Sequence, residues 1–283
     1  MTDAVTWMVE TGLDPDSENR LLASLEALGG VEVRLRKGIP FGQGLNPGPK
    51  KPPREGPVIY HGSLNGAAWV QANTDWSPGA IANNAAFRCR SYYPAFGDYL
   101  LNSRHVFLPF GSLETMKNDL FDLLGADDCI FIRPDNNDKP FTGKLVKREE
   151  WAEDMKLLGF YDVVTPDLMV VVARPQNVTD ECRFFIQGGR VLTGSLYRKN
   201  VYTQQHQTLT FRDGGALWDM AESLAKHAVE VGYNPDPIWV MDLCRGTNGL
   251  IRLLEVGGFC GAGLYACDTD IIAEAATELA RSL

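Results

Sequence analysis

Nowhere in its 283 residues does this sequence run apolar for the roughly 20 consecutive positions that a membrane crossing needs. Its first residues, Met1, Thr2, Asp3 and Ala4, lack the basic and then apolar segments of an export signal, so a soluble, cytoplasmic protein is expected. Positive charge is also scarce: 27 Lys and Arg stand against 36 Asp and Glu, giving a formal net charge of −9. That balance argues against a protein that grips nucleic acid by broad phosphate neutralisation. The six cysteines, Cys89, Cys129, Cys182, Cys244, Cys260 and Cys267, include no CxxC pair and no histidine at zinc-finger spacing, which argues against a structural zinc site. They read as buried, reduced thiols. Histidine is rare too, and His61, His105, His206 and His227 are expected at the surface or with their hydrogen bonds satisfied. Neither Cys182 nor Ser195 sits in a GxSxG elbow or near a histidine, so no nucleophile is assigned.

What is present is a globular composition, 45% hydrophobic and 22% charged, long enough for one large domain or two to three small ones. An α/β opening is predicted from a strand at 5–10, a helix at 17–28 ended by Gly29 and Gly30, and a strand at 31–36. The run from Gly38 to Pro57 is rich in Gly and Pro and carries Lys50, Lys51 and Arg54, so it reads as an exposed loop. Gly42, Gly44 and Gly48 do not make a dinucleotide fingerprint, because Pro47, Pro49, Pro52 and Pro53 cannot open the helix it requires. After a strand at 58–61, the stretch 69–102 reads as loops and short helices, with Trp69, Trp76, Tyr92 and Tyr93 as core aromatics or as walls of an acceptor pocket. Further on, the patterns predict a helix at 113–124, strands at 129–133, 143–146 and 168–173, and a helix at 149–158. A hairpin at 183–186 and 190–197 turns on Gly188 and Gly189. The helix that follows carries an apolar stripe of Leu217, Met220, Ala221, Leu224, Ala228 and Val231. Strands at 238–244 and 250–256 flank a Gly246–Gly249 turn, and a last helix at 270–281 is capped by Thr269 or Asp268.

Three constellations carry chemistry. If the last turn is symmetric about Thr247 and Asn248, Asp242 lies opposite Leu253 and Glu255 opposite Val240, which makes the two carboxylates diagonal neighbours. Such positions are about 7–8 Å apart, a gap a hard cation can bridge. The competing reading is two solvated carboxylates on an exposed face. In "FIRPDNNDKPFTGK", residues 131–144, a strand delivers Arg133 to a polar loop holding Lys139, Gly143 and Lys144. Cations beside small residues suit phosphate, although the Walker spacing is absent and a charged hairpin loop is the plainer alternative. Glu181 and Arg183 share a strand face after the buried run 170–173, as a surface ion pair or as part of a nucleotide site.

In this order the segments "FIRPDNNDKPFTGK", "VVVARPQNVTDECRFFIQGGRVLTGSLY", "VMDL" and "LLEVGGFCGAGLYACD" resemble the ATP-grasp superfamily, specifically its small bacterial and phage ATP-grasp domain proteins. The resemblance implies an α/β fold with α+β subdomains: a pre-ATP-grasp α/β domain over 1–105 and an ATP-grasp domain over 106–283 whose two subdomains clasp ATP. It further implies that Arg133, Lys139 and Lys144 contact phosphates with Arg183, that Val172, Ala173 and Arg174 form the adenine hinge, and that Glu181 binds ribose. Asp242 and Glu255 are implied to hold Mg2+, with substrate near Ser195, Tyr197 and Arg198. The family usually places Asn two residues after the glutamate, where this chain has Gly257, so one metal ligand must come from water or elsewhere. The activity implied is ATP-dependent joining of a carboxylate to an amine, of an amino acid, peptide or protein, through an acyl phosphate. A phosphotransferase and a catalytically weak nucleotide-binding regulatory module are the alternatives.

Overall fold

The computed structural model describes residues 4–37, 56–199, 209–211 and 214–283. The glycine- and proline-rich run from Gly38 lies outside them up to residue 55, and so does His206. The chain forms two compact units, one of Met1–Asn83, Asp180–Leu243 and Val256–Leu283, the other of Asn84–Thr179 and Cys244–Glu255. They do not follow chain order, as a division after residue 105 does, because the first unit takes back two later segments.

The first unit opens with β1 (Val5–Thr11), α1 (Pro15–Leu28), β2 (Val31–Lys37), β3 (Val58–His61), α2 (Leu64–Asn73) and β4 (Pro78–Ala80). The strands make a parallel sheet in the order β2-β1-β3-β4. Val5 to Glu10 are all buried, as a central parallel strand demands. Glu18 reaches back from the first turn of α1 and fixes the segment that enters it, accepting from the backbone N–H groups of Gly12, Leu13 and Asp14.

The second unit contains α3 (Cys89–Phe96), β5 (His105–Pro109), α4 (Leu113–Leu124), β6 (Cys129–Pro134), β7 (Lys144–Lys147), α5 (Trp151–Leu158) and β8 (Met169–Ala173). Its antiparallel sheet runs β5-β8-β6-β7. Leu113, Leu120, Phe121 and Leu124 of α4 pack with Ile130, Ile132, Val146, Trp151, Val170 and Val172 into one core. Tyr92 and Tyr93 are buried, and so is Trp69 of the first unit, which favours the core reading of these aromatics.

The elements β9 (Val178–Gln187), β10 (Arg190–Lys199), β11 (Leu209–Phe211), α6 (Ala216–Glu230), β12 (Ile238–Gly246), β13 (Ile251–Gly258) and α7 (Thr269–Ser282) complete the chain, with Cys244–Glu255 of β12 and β13 counted in the second unit. The sheet order is β11-β10-β9-β12-β13. Helix α7 packs on α1 and β1, and Trp7 Nε1 donates to Thr277 Oγ1 at 2.9 Å. Among the described residues no helix is long and apolar enough to cross a membrane.

Two local expectations need correction, and the α7 cap is resolved between its two candidates. Val231 lies beyond α6 and is 49% exposed, because the helix ends before it reaches the apolar stripe. Of the two residues expected to cap α7, Asp268 does so, accepting from the N–H groups of Asp270 and Ile271. The β12–β13 turn is not the symmetric two-residue one: Gly246 N donates to Leu250 O and Gly249 N to Gly246 O, with Gly249 at φ +79°. The left-handed glycine makes the loop one residue longer. The cross-strand partners counted for Asp242 and Glu255 therefore start from a turn the chain does not make.

Candidate functional site

In the second unit, β6 ends in a buried Arg133 whose Nη2 donates to Glu255 Oε2 at 3.0 Å. Lys139 stands in the left-handed region, φ +47°, and its Nζ reaches Glu255 Oε1 at 2.8 Å. Each carboxylate oxygen of Glu255 thus holds one cation. Around Arg133 stand Cys89, Tyr92 and Tyr93, whose pKa values burial pushes upward, so these groups are neutral at physiological pH. Gly143 explains how the intervening loop lies so close to β6: a Cβ there would meet Phe131 Cζ at 2.6 Å and Arg133 Cβ at 3.3 Å. Lys144 pairs at 3.1 Å with the buried Asp154, whose other oxygen has no hydrogen-bond partner. Asp135 accepts from Arg90 N and Arg90 Nε, fixing the start of the loop to the N-terminus of α3.

Val172 and Ala173 are interior to the sheet, with register partners on β5 and β6 alike. Arg174 is the first residue past the strand, its N–H donating to Arg104 O and its Nη1 to Gly125 O.

In the first unit, Arg183 of β9 donates through Nε to Asp242 Oδ1 at 2.8 Å and through Nη2 to Asp242 Oδ2 at 2.7 Å. Its Nη1 donates to Gly263 O. The Tyr197 and Tyr265 rings stack at 4.5 Å and 14°, with the guanidinium 5.8 Å and 5.0 Å from their centroids. Tyr265 holds φ +46°, a conformation uncommon for a bulky residue. Glu181 pairs with Arg198, its register neighbour on β10, so the same-strand Glu181–Arg183 pair suggested by alternation is replaced by two cross-strand pairs. Burial raises the Glu181 pKa, opposed by Arg198 and Tyr197. Ser195 is fully buried, its hydroxyl accepting from Ala266 N and donating to Leu196 O. With Thr193, which accepts from Asp268 N, it ties down the loop that presents Tyr265.

A further polar cluster of the first unit escaped the sequence reading. Glu10, buried at the end of β1, accepts from Tyr60 Oη, Ser63 N and Ser63 Oγ. Beside it His61 is buried against Phe259 with Nδ1 unpartnered, and burial lowers its pKa to about 4. The expectation that every histidine would be exposed or satisfied fails here. The cluster sits at the carboxyl ends of β1 and β3, where strand order reverses, the usual ligand position in an open α/β sheet. Its only sequence signal is the His-Gly-Ser run that leaves β3. Tyr265 and Asp154 were likewise not singled out, since neither the left-handed backbone of the one nor the lysine partner of the other shows in local pattern.

All six cysteines are free, and five are buried. Among the described residues no three Asp, Glu, His or Cys side chains converge as a metal cage. Asp242 and Glu255, each considered within its own unit, offer carboxylate oxygens of the hard type that magnesium takes together with nucleotide phosphates and water.

A family model for an ATP-grasp domain, the second family of its clade, matches residues 110–275. No curated protein matches the sequence. Among solved structures, the chain is similar to D-cycloserine synthetase DcsG, with a TM-score of 0.65 and 12% identity over 98% of this chain and 99% of that one. It is also similar to D-alanyl-alanine synthetase A from Vibrio cholerae, with a TM-score of 0.64 and 12% identity over 100% and 98%. A third is ATP-grasp ligase PsnB complexed with a phosphomimetic variant of minimal precursor, Mg and ADP, with a TM-score of 0.60 and 12% identity over 99% and 100%. At this identity the likeness concerns the fold.

Proposed function

Because the chain belongs to this family of ATP-grasp domains, we propose that it is an ATP-dependent carboxylate–amine ligase working through an acyl phosphate. In that reaction a substrate carboxylate oxygen attacks the γ-phosphorus and the bond to the β-phosphate oxygen breaks, releasing ADP. The amine nitrogen then attacks the acyl carbon, phosphate leaves, and the amine gives up a proton. No side-chain nucleophile is needed, so positioning and charge stabilisation supply most of the rate.

The observation that carries the reading is that every cation and carboxylate assigned a role, from Arg133 to Glu255, falls inside the family match over residues 110–275. Arg133, Lys139 and Lys144 bind phosphates, and Arg183, fixed by Asp242 and two aromatic faces, meets the charge that develops on the transferred group. With Val172 and Ala173 inside the sheet, the adenine edge falls to the backbone from Arg174 onward, and Glu181 with Arg198 faces the ribose. Asp242 and Glu255 are the metal carboxylates; magnesium, when bound, neutralises phosphate charge. Tyr197 and Arg198 face the substrate, and Ser195 acts through the loop it anchors. The Glu10 and His61 cluster offers a polar end for the acceptor. An amino acid or peptide as substrate is supported by the similar structures, which include a D-alanyl-alanine synthetase and a ligase complexed with a precursor peptide. Dependence on ATP fits a cytoplasmic protein.

Gly257, standing where the family's usual asparagine would be, favours a second reading, a nucleotide-binding module with weak turnover. The test is incubation with ATP, magnesium and pooled amino acids and peptides, followed by mass spectrometry. ADP with a new amide supports the ligase. ADP with a stable phosphorylated product identifies a phosphotransferase, and nucleotide binding without ADP formation identifies the module.

A further inference from the structure

Every cation of the second unit expected to meet phosphate is already paired with a carboxylate. Arg133 and Lys139 share Glu255, at 3.0 and 2.8 Å, and Lys144 holds Asp154 at 3.1 Å. Three cations facing two carboxylates leave a net charge of only one, far short of what a polyphosphate carries. Glu255 is the restraint shared by two of these cations, with both of its oxygens engaged.

We propose that Glu255 determines the specificity of this site for metal-complexed over metal-free nucleotide, by holding Arg133 and Lys139 until a divalent cation takes their place. The inference rests on the nucleotide reading of the site. Arg133 is a buried guanidinium among neutral groups, so it needs an anion at all times, either Glu255 or a phosphate. Metal-free ADP can reach it only by displacing Glu255 or by lying beside it, which brings two anions together where water screens poorly. A divalent ion removes that conflict, since Glu255 gains a cation as its two former partners turn to the phosphates. Lys139 is poised for the exchange: its left-handed backbone is a strained conformation that the Glu255 contact accompanies, and the ammonium is half exposed at the end of a flexible stem. By linkage, metal and nucleotide must each strengthen the binding of the other.

The experiment measures ADP binding by calorimetry in EDTA and in magnesium, for the wild type and for Glu255→Gln. The amide keeps the shape but releases its hold on the two cations, so metal-free ADP should bind about tenfold more tightly than to wild type. The gain from magnesium should shrink from about a hundredfold to a few-fold, a loss of roughly 2 kcal/mol of coupling. Adding Lys139→Met should cancel the tightening. Metal-free ADP binding that is unchanged or weaker in a folded Glu255→Gln protein overturns the proposal. Should that variant not fold by circular dichroism, Glu255→Asp, with its carboxylate drawn back by one methylene, must show the same tightening in part or the proposal falls. A wild type that binds no ADP with or without magnesium is a different result and removes the nucleotide reading itself.

Discussion

Arg183 and Asp242 face each other in a two-pronged ion pair with both side chains nearly sealed from water. Removing one partner strands the other charge, so Asp242→Ala is expected to cost about 3–5 kcal/mol of stability. Asp242→Asn retains an acceptor and should cost less, while lowering magnesium-dependent ADP formation by orders of magnitude. Arg183→Lys cannot reproduce the fork and should behave like a loss of function. Chemical denaturation and steady-state turnover of the three variants check this; wild-type turnover in Asp242→Asn would remove Asp242 from the metal.

Nucleotide should stabilise the fold by mass action. At a hundred times its dissociation constant, ADP with magnesium is expected to add about 2.7 kcal/mol, a rise of a few degrees in Tm. Thermal denaturation with and without millimolar ligand is the measurement. No shift would count against the nucleotide site.

Acid stability should show two opposed contributions from the first unit. Burial lowers the His61 pKa from 6.5 to about 4, so its contribution is complete above pH 6.5 and is lost as pH falls from 6.5 towards 4. Burial raises the Asp236 pKa from 3.8 to about 6, partly offset by the Asn83 N–H it accepts, so the fold gains stability as pH falls from 6 towards 3.8. Each effect amounts to about 1–3 kcal/mol, the lower end applying to Asp236, which solvent partly screens. Denaturation between pH 4 and 7 should give a shallow slope for the wild type. Stability should rise with pH more steeply in Asp236→Asn and fall with pH in His61→Phe. Parallel slopes in all three proteins would exclude both groups.

Gly66→Ala normally favours a helix by about 1 kcal/mol, but here the sign should reverse. The new Cβ would run into Tyr60 Oη and stand 2.7 Å from Glu10 Oε2. Tyr60 is a buried ring hydrogen-bonded to Glu10, so making room breaks that bond, and a net loss of about 2 kcal/mol is expected. Urea denaturation decides it; a gain in stability would mean that the cluster yields easily.

The elements were largely legible in the sequence. Helix α4 and strand β3 fall where periodicity puts them, because their apolar spacing is regular and their ends are marked by breakers. The α/β class and the family also read correctly from ordered motifs. Partners did not: alternation placed Glu181 beside Arg183, yet each found its counter-charge on another strand, a fact that depends on register. A single left-handed glycine at 249 shifted the last turn by one residue, and local pattern carries no sign of it. Glu10, Tyr60 and His61 escaped because two distant strands bring them together.

The hydrogen bond from Trp7 to Thr277 joins strand β1 to helix α7 across 270 residues. A ribosome delivers these two elements at widely separated moments of synthesis. Strand β1, buried on both faces, is made early, but the α7 surface that covers it emerges much later. The first unit therefore closes only once α7 has been made, and until then its earliest strand is open to chaperones and proteases. The core of the second unit, from Leu108 to Val172, is made well before α7, although that unit's segment Cys244–Glu255 also comes late. Nascent chains halted near residue 200 should protect that core from digestion while leaving β1 open to it.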